Sequence, residues 1–194
     1  MKLKDIEKPV YRKHLNIIIV GFIASLLILA LAYGQGLIML FADSAAVMAN
    51  PTNVAAGEIA NEVAATESNF KYNFLGVLLA LLTCVFVLHR LRFSAFFSEV
   101  YYVWEIKQQQ NAIYRKLKKI KVAASNDDPA AVDVNALVIL NFYYASLKQI
   151  YLLDDNTLTM SKLNTDISEL NTRIENLQLT ISTDQFDKSM LADY

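Results

Sequence analysis

Apolar and polar positions divide the chain into two uninterrupted apolar runs followed by a long region of one-sided stripes. No charged residue occurs from Leu15 to Ala42, 28 positions, or from Tyr72 to Leu88, 17 positions. A helix that crosses the hydrocarbon core needs about 20 apolar residues, range roughly 17 to 25. Both runs therefore predict transmembrane helices, over residues 15–42 and 72–88. The first is longer than an upright crossing requires, so the stretch Gly34, Gln35 and Gly36 predicts an interfacial end or a tilt. It is also about twice the roughly 7 to 15 residues of a signal core. It reads as an anchor, although "FADSAAVMA" offers small residues of the kind a cleavage site uses.

Beyond the second run the pattern becomes helical and amphipathic. All five glycines lie at or before Gly76, and Pro129 is the one proline after it. Such a segment lacks the residues of tight turns and hairpins, and long helices are expected. The first, over 93–124, begins "FSAFFSEVYYVW", apolar nearly all round, which suits an enclosed or interfacial segment. From Glu105 onward Ile106, Ile113, Tyr114, Leu117 and Ile120 fall on one arc of about 120°. The second opens at "NDDPAAVDV", where Asp127 or Asp128 can cap and Pro129 suits the first helical position. It runs on through "NALVILNFYYASLKQIYLL", interrupted too often by polar residues for a third span, and reads as the central helix of a small bundle. The third begins near "DDNTLT". Its seam, Met160, Leu163, Ile167, Leu170, Ile174, Leu177 and Ile181, repeats at alternating steps of three and four, the pattern of a coiled coil. Residues 182–194 are polar and predict a frayed tail.

Charge sets the orientation. Lys2, Lys4, Lys8, Arg12 and Lys13 precede the first run, and Arg90 and Arg92 follow the second. Between the runs the one cation is Lys71, against Asp43, Glu58, Glu62 and Glu67. Lys and Arg are retained on the cytoplasmic side. The fold class expected is thus an all-α membrane protein, a two-helix transmembrane hairpin plus a cytoplasmic bundle of about three helices. Its parts are a basic cytoplasmic N-terminus over 1–14, the spans, a periplasmic loop over 43–71, a cytoplasmic helical domain over 89–181 and the tail. A short surface helix over 53–66 is expected in the loop. Cys84, the sole cysteine, excludes an internal disulfide or a cysteine metal cluster.

The stretches "MKLKDI", "YRKHLN", "SNFKYNFLGV", "HRLRFSAFFSEVYYVW", "NAIYRKLKKIK" and "LDDNTLT" together resemble an uncharacterised family of short bacterial membrane proteins, a domain of unknown function of the DUF3087 kind. The resemblance covers nearly the whole chain apart from the outer loop and tail. It implies the inner membrane of a Gram-negative bacterium, and it supplies no activity, cofactor or site residue.

Candidate chemistry is sparse. A nucleophile needs a base within reach, and the two histidines, His14 and His89, stand beside basic residues at the cytoplasmic ends of the spans, where interfacial anchoring explains them. Asp154 and Asp155, like Asp127 and Asp128, sit at helix boundaries and read as caps. No calcium-loop spacing or glycine-rich phosphate loop is present, so neither catalysis nor a cofactor is expected. The spans contain no ionisable group to mark a transport path. Gly21 with Ser25 and Gly76 with Ala80 offer close helix approach.

Two features remain. The basic face Lys107, Arg115, Lys116, Lys118, Lys119 and Lys121 reads first as solvated, next as a contact for anionic lipid or acidic protein, and last as a nucleic-acid surface. Residues 89–194 carry 12 cations against 13 anions, and no nucleic-acid reading motif is visible. Lipid contact requires a bend near Arg92, because exposed charge attraction fades over about 8 Å at physiological salt. The seam packs within the chain in one reading and zips to a second copy or another protein in the other. The expected function is a non-catalytic interaction or accessory subunit of an inner-membrane assembly, with the bilayer and a protein partner or second copy as its contacts. The alternative is a membrane-surface or nucleic-acid binder working through residues 107–121.

Overall fold

A computed structural model describes residues 2–46, 57–126 and 132–194, and side chains outside 42–68. Six helices follow one another: α1 (Lys8–Ala46), α2 (Gly57–Leu91), α3 (Ser98–Tyr114), α4 (Leu117–Ala124), α5 (Val134–Leu153) and α6 (Met160–Asn176). Among the described residues two short 3-10 turns, Thr183–Gln185 and Lys188–Asp193, follow α6, and there is no strand. The chain separates into two compact units, one built from Met1–His14 with Ala95–Tyr194 and one from Leu15–Ser94. The basic residues 2–14 belong with the helical domain.

In the Leu15–Ser94 unit, α1 and α2 run antiparallel. Tyr33 meets Thr83 through hydroxyls 3.3 Å apart, and the Phe41 and Tyr72 rings stack at 6.2 Å. The helices touch where side chains are smallest. Gly76, Ala80 and Cys84, four residues apart, are the buried line of α2. A Cβ added at Gly76 would stand 2.7 Å from the Gly34 Cα. Gly34, expected near the end of a span, is instead the crossing point, and α1 continues through it as helix. A Cβ added at Gly21 would meet nothing within 4 Å among the described residues. The expected loop helix over 53–66 lies partly outside the described residues, and from Gly57 onward it is the beginning of α2.

Large apolar side chains cover the outside of this pair: Val20, Leu27, Leu31, Met39, Leu82 and Phe86 are each at least 60% exposed. Proteins surrounded by water seldom leave such a surface uncovered. Lys8–Phe41 and Asn69–Leu91 are long and apolar enough to cross a membrane, and so, by length and composition, is Val134–Leu153. Most of α5, however, is enclosed by protein: Ala136, Leu137, Ile139, Phe142 and Ser146 are fully buried. It packs against α3, α4, α6 and the first 3-10 turn, which makes it the centre of its unit. Each large apolar side chain so enclosed contributes about 1.5 to 3 kcal/mol. One polar link lies in this interior: Gln110 donates to the Tyr143 carbonyl at 2.7 Å and to the Ser146 hydroxyl, which donates to the Phe142 carbonyl.

Helix boundaries differ from the sequence expectation in several places. The helix expected over 93–124 starts at Ser98, after a turn over 92–97, and is interrupted at Arg115–Lys116, where the Lys116 amide bonds to Ile113 rather than to a residue four back. Caps at Asp127 or Asp128 and Pro129 fall outside the described residues. Asp133 is the N-cap of α5, accepting from the amides of Asn135 at 2.9 Å and Ala136 at 3.3 Å. The seam helix stops at Asn176 rather than Ile181 because Gln178 turns left-handed, with φ 54°. The Gln178 amide then bonds to Glu175 and that of Leu179 to Ile174, the paired closure that usually places glycine at this position. Asp155, φ 57°, ends α5 in a related way, with the Asn156 amide on the Tyr151 carbonyl.

Two outcomes are expected. Gly76→Ala overpacks the α1–α2 crossing and lowers stability by about 1 to 3 kcal/mol, whereas Gly21→Ala changes it little; thermal unfolding of the solubilised protein measures both. Gln178→Gly relieves the left-handed strain and raises stability by about 1 kcal/mol in denaturant titration.

Candidate functional site

The basic stretch that stands out in the sequence is distributed over three settings. Lys107 pairs with Asp154 at 2.8 Å. Lys116 donates to the Leu191 carbonyl and Lys119 to the Tyr194 carbonyl at 2.7 Å. Lys121 lies 5.7 Å from the centre of the Tyr144 ring, and the Tyr144 hydroxyl holds its ammonium pKa above the ordinary lysine value. Arg115 and Lys118 are exposed. Four of the six candidate cations are therefore engaged by the chain itself. Tyr114, expected on the packed side, is 68% exposed, because the inward positions of α3 are Val103, Ile106, Gln110 and Ile113.

What Lys116 and Lys119 hold is the segment expected to be a frayed tail. Ser182 caps the first 3-10 turn with a reciprocal bond from its amide to Gln185, and Asp187 caps the second through the Ser189 amide at 2.8 Å. Phe186 is 2% exposed and its ring stacks on Phe142 at 4.2 Å, while Leu191 is also buried. The Tyr194 hydroxyl donates to Asp133, the residue that caps α5. Burial and this neighbouring carboxylate both raise the Tyr194 pKa. Phe186, Met190, Leu191 and Tyr194 were the available sequence signal. Spread among charged and hydroxyl residues, they lack any helical stripe.

The seam residues also have places within the chain. Leu163 and Leu170 are buried, and Met160, Ile167, Ile174, Leu177 and Ile181 are partly buried against the same core. α6 packs on α5, and Arg173 reaches back to the Asn126 carbonyl. A shallow cleft of 240 Å³ between Val132, Val134 and Asn176–Leu179 is the notable concavity here, below the roughly 300 Å³ at which ligand pockets begin. Among the described residues no group of three His, Cys, Asp or Glu side chains converges as a metal site would.

One cluster was not expected. Asp155 receives both Lys8 and Arg12, and Lys8 with the two cationic charges holds the Asp155 carboxyl below the usual carboxylate range. Asp154 and Asp155 are thus ion-pair partners at the end of α5 rather than N-caps, because the exposed left-handed turn aims them at Lys107 and at the start of α1. Neighbouring contacts fasten the same segment. The Lys4 amide donates to the Tyr102 hydroxyl, and Gln149 donates to the Lys4 carbonyl. Tyr11 is buried, Leu3 packs on the core and Lys2 lies 3.3 Å from Asp184. The His14 ring lies 4.3 Å from that of Phe96, with its Nδ1 3.5 Å from Glu99. Exposed ion pairs alone contribute little; the buried Tyr11 and the bonds at Lys4 add the rest.

A family model described as a protein of unknown function (DUF3087) matches residues 1–191, which takes in both the segment 2–14 and the docked segment as far as Leu191. No curated protein and no solved structure matches.

Phe186→Ala is expected to cost about 3 to 5 kcal/mol in denaturant unfolding. The Tyr194 contribution is fully present below the ordinary tyrosine value of about 10 and lost as pH rises through its raised folded value. Tyr194→Phe should therefore flatten the loss of stability measured at alkaline pH. The Asp155 contribution has the opposite sign: present above about pH 4 and lost as pH falls through its lowered folded value.

Proposed function

We propose, from the premise that this chain belongs to the DUF3087 family of proteins of unknown function, that it is a two-span inner-membrane protein whose cytoplasmic helical domain is a non-catalytic interaction subunit of a membrane assembly. The observation that carries the topology is the composition of one folded unit: residues 1–14 and 95–194 pack together, with both apolar helices in the chain between them. Segments that share one core lie on one side of a bilayer, so the intervening helices cross it an even number of times. The cations flanking the spans favour the cytoplasm as that side. The same reasoning keeps α5 out of the bilayer, since the elements before and after it pack on it together.

The interaction reading rests on what the unit leaves uncovered. With four cations of the basic face engaged internally, Arg115 and Lys118 remain exposed beside Tyr114 and Val122, which are 68% and 67% exposed. Aromatic and arginine side chains with apolar neighbours are the composition of interface hot spots. This surface fits an acidic, partly apolar protein segment, and two free cations are a weak basis for lipid or nucleic-acid binding.

Single cysteines placed at residue 5 and residue 118 in a Cys84→Ala background should both be labelled by impermeant maleimide only after the inner membrane is opened. Labelling of either from the periplasm contradicts the topology. In gently solubilised membranes the protein should migrate in a complex larger than its monomer, and Arg115→Glu with Lys118→Glu should dissolve it while moving stability by less than about 0.5 kcal/mol each. A monomer in both forms contradicts the interaction reading.

A further inference from the structure

The outward line of α3 changes character along its length. Its inward positions, Val103, Ile106, Gln110 and Ile113, are buried. The opposite line, in steps of four and three from the N-cap, is Phe97, Tyr101, Trp104, Gln108, Asn111 and Arg115, the first two half-buried and the other four exposed. The first three are aromatic and the last three polar or charged. Tyr101 and Trp104 stack at 5.5 Å, and Trp104 is 52% exposed. A stripe evenly bathed in water has no reason to be aromatic at one end only.

The position of that aromatic end is fixed by its neighbours. Phe96 and Glu99 flank His14, which immediately precedes the apolar run that starts at Leu15. Tyr101 and Trp104 follow Glu99 within about 7.5 Å of helix, whatever its tilt, a reach within the roughly 5 to 8 Å thickness of the interfacial layer on each side of a bilayer. Trp and Tyr favour that layer because an apolar ring and a polar N–H or O–H are both satisfied there. We propose that the first two turns of α3 rest in the cytoplasmic interfacial layer of the phospholipid bilayer, with Phe97, Tyr101 and Trp104 as lipid contacts. Gln108, Asn111 and Arg115 mark where the helix leaves it. The proposal rests on α1 being a span. It accounts for the apolar start of α3 without a protein partner and assigns the lipid contact to aromatic side chains rather than to the lysines of residues 116–121.

Trp104 is the sole tryptophan, so its fluorescence reports this surface in the intact protein. The test is reconstitution into phosphatidylcholine–phosphatidylglycerol vesicles whose acyl chains carry bromine either near the ester or near the methyl end, with aqueous iodide as the third quencher. A Trp104→Phe, Leu82→Trp variant reports the span. Expected is quenching of Trp104 about twofold stronger by ester-end than by methyl-end bromine, with weak iodide quenching, while Leu82→Trp responds most to the methyl end. Trp104 quenched chiefly by iodide, with the span reporter still quenched by bromine, overturns this proposal and leaves the membrane reading standing. Shielding of Trp104 from bromine and iodide alike also overturns it, in favour of a protein covering the stripe. A span reporter untouched by bromine overturns the membrane reading and this proposal together.

Discussion

The rest of the structure depends on the docking of residues 2–14 against the helical domain. Asp155 at the end of α5 takes Lys8 and Arg12, Tyr102 and Gln149 take the Lys4 backbone, and Tyr11 is buried. None of these exposed charge pairs is strong alone. Their effect is topological: they hold residues 2–14 and the helical domain, the two flanks of an apolar helix pair, in one folded body. Lys8 and Arg12, which the sequence shows only as part of a basic flank, are thus the partners of a specific carboxylate.

The domain behind this clasp is organised around one helix that is mostly enclosed, with Val134, Lys148 and Leu152 left exposed. α5 packs against α3, α4, α6 and the first 3-10 turn, so its stability comes from tertiary packing rather than from amphipathic balance. Lacking glycine, the domain ends α5 and α6 with Asp155 and Gln178 in the left-handed region. At Asp155 the strained conformation coincides with the ion-pair cluster. The seam on α6 and the Phe186–Leu191 segment cover the same core.

Much of this was legible in the sequence. The two charge-free runs, the central character of "NALVILNFYYASLKQIYLL" and the alternating stripe on α6 follow from periodicity, which is a local property. The clasp was not legible, because Lys8 and Asp155 are far apart in the chain and a lysine gives no sign of which carboxylate it will meet. Nor was the break at Arg115–Lys116, which has neither glycine nor proline to announce it. Residues 182–194 read as a tail because Phe186 and Leu191 are isolated among polar residues. Their burial is a property of the surface that receives them, and the engagement of Lys116 and Lys119 follows from it.

Zero-length carbodiimide crosslinking in intact membranes tests the clasp most directly, because it joins only a lysine and a carboxylate already in contact. The account predicts a Lys8–Asp155 crosslink within one chain, recovered by mass spectrometry and abolished by Asp155→Asn. Lys8 crosslinked only to other carboxylates, with Asp155 unreacted, would contradict it and remove the basis for placing residues 2–14 and the helical domain on one side of the membrane.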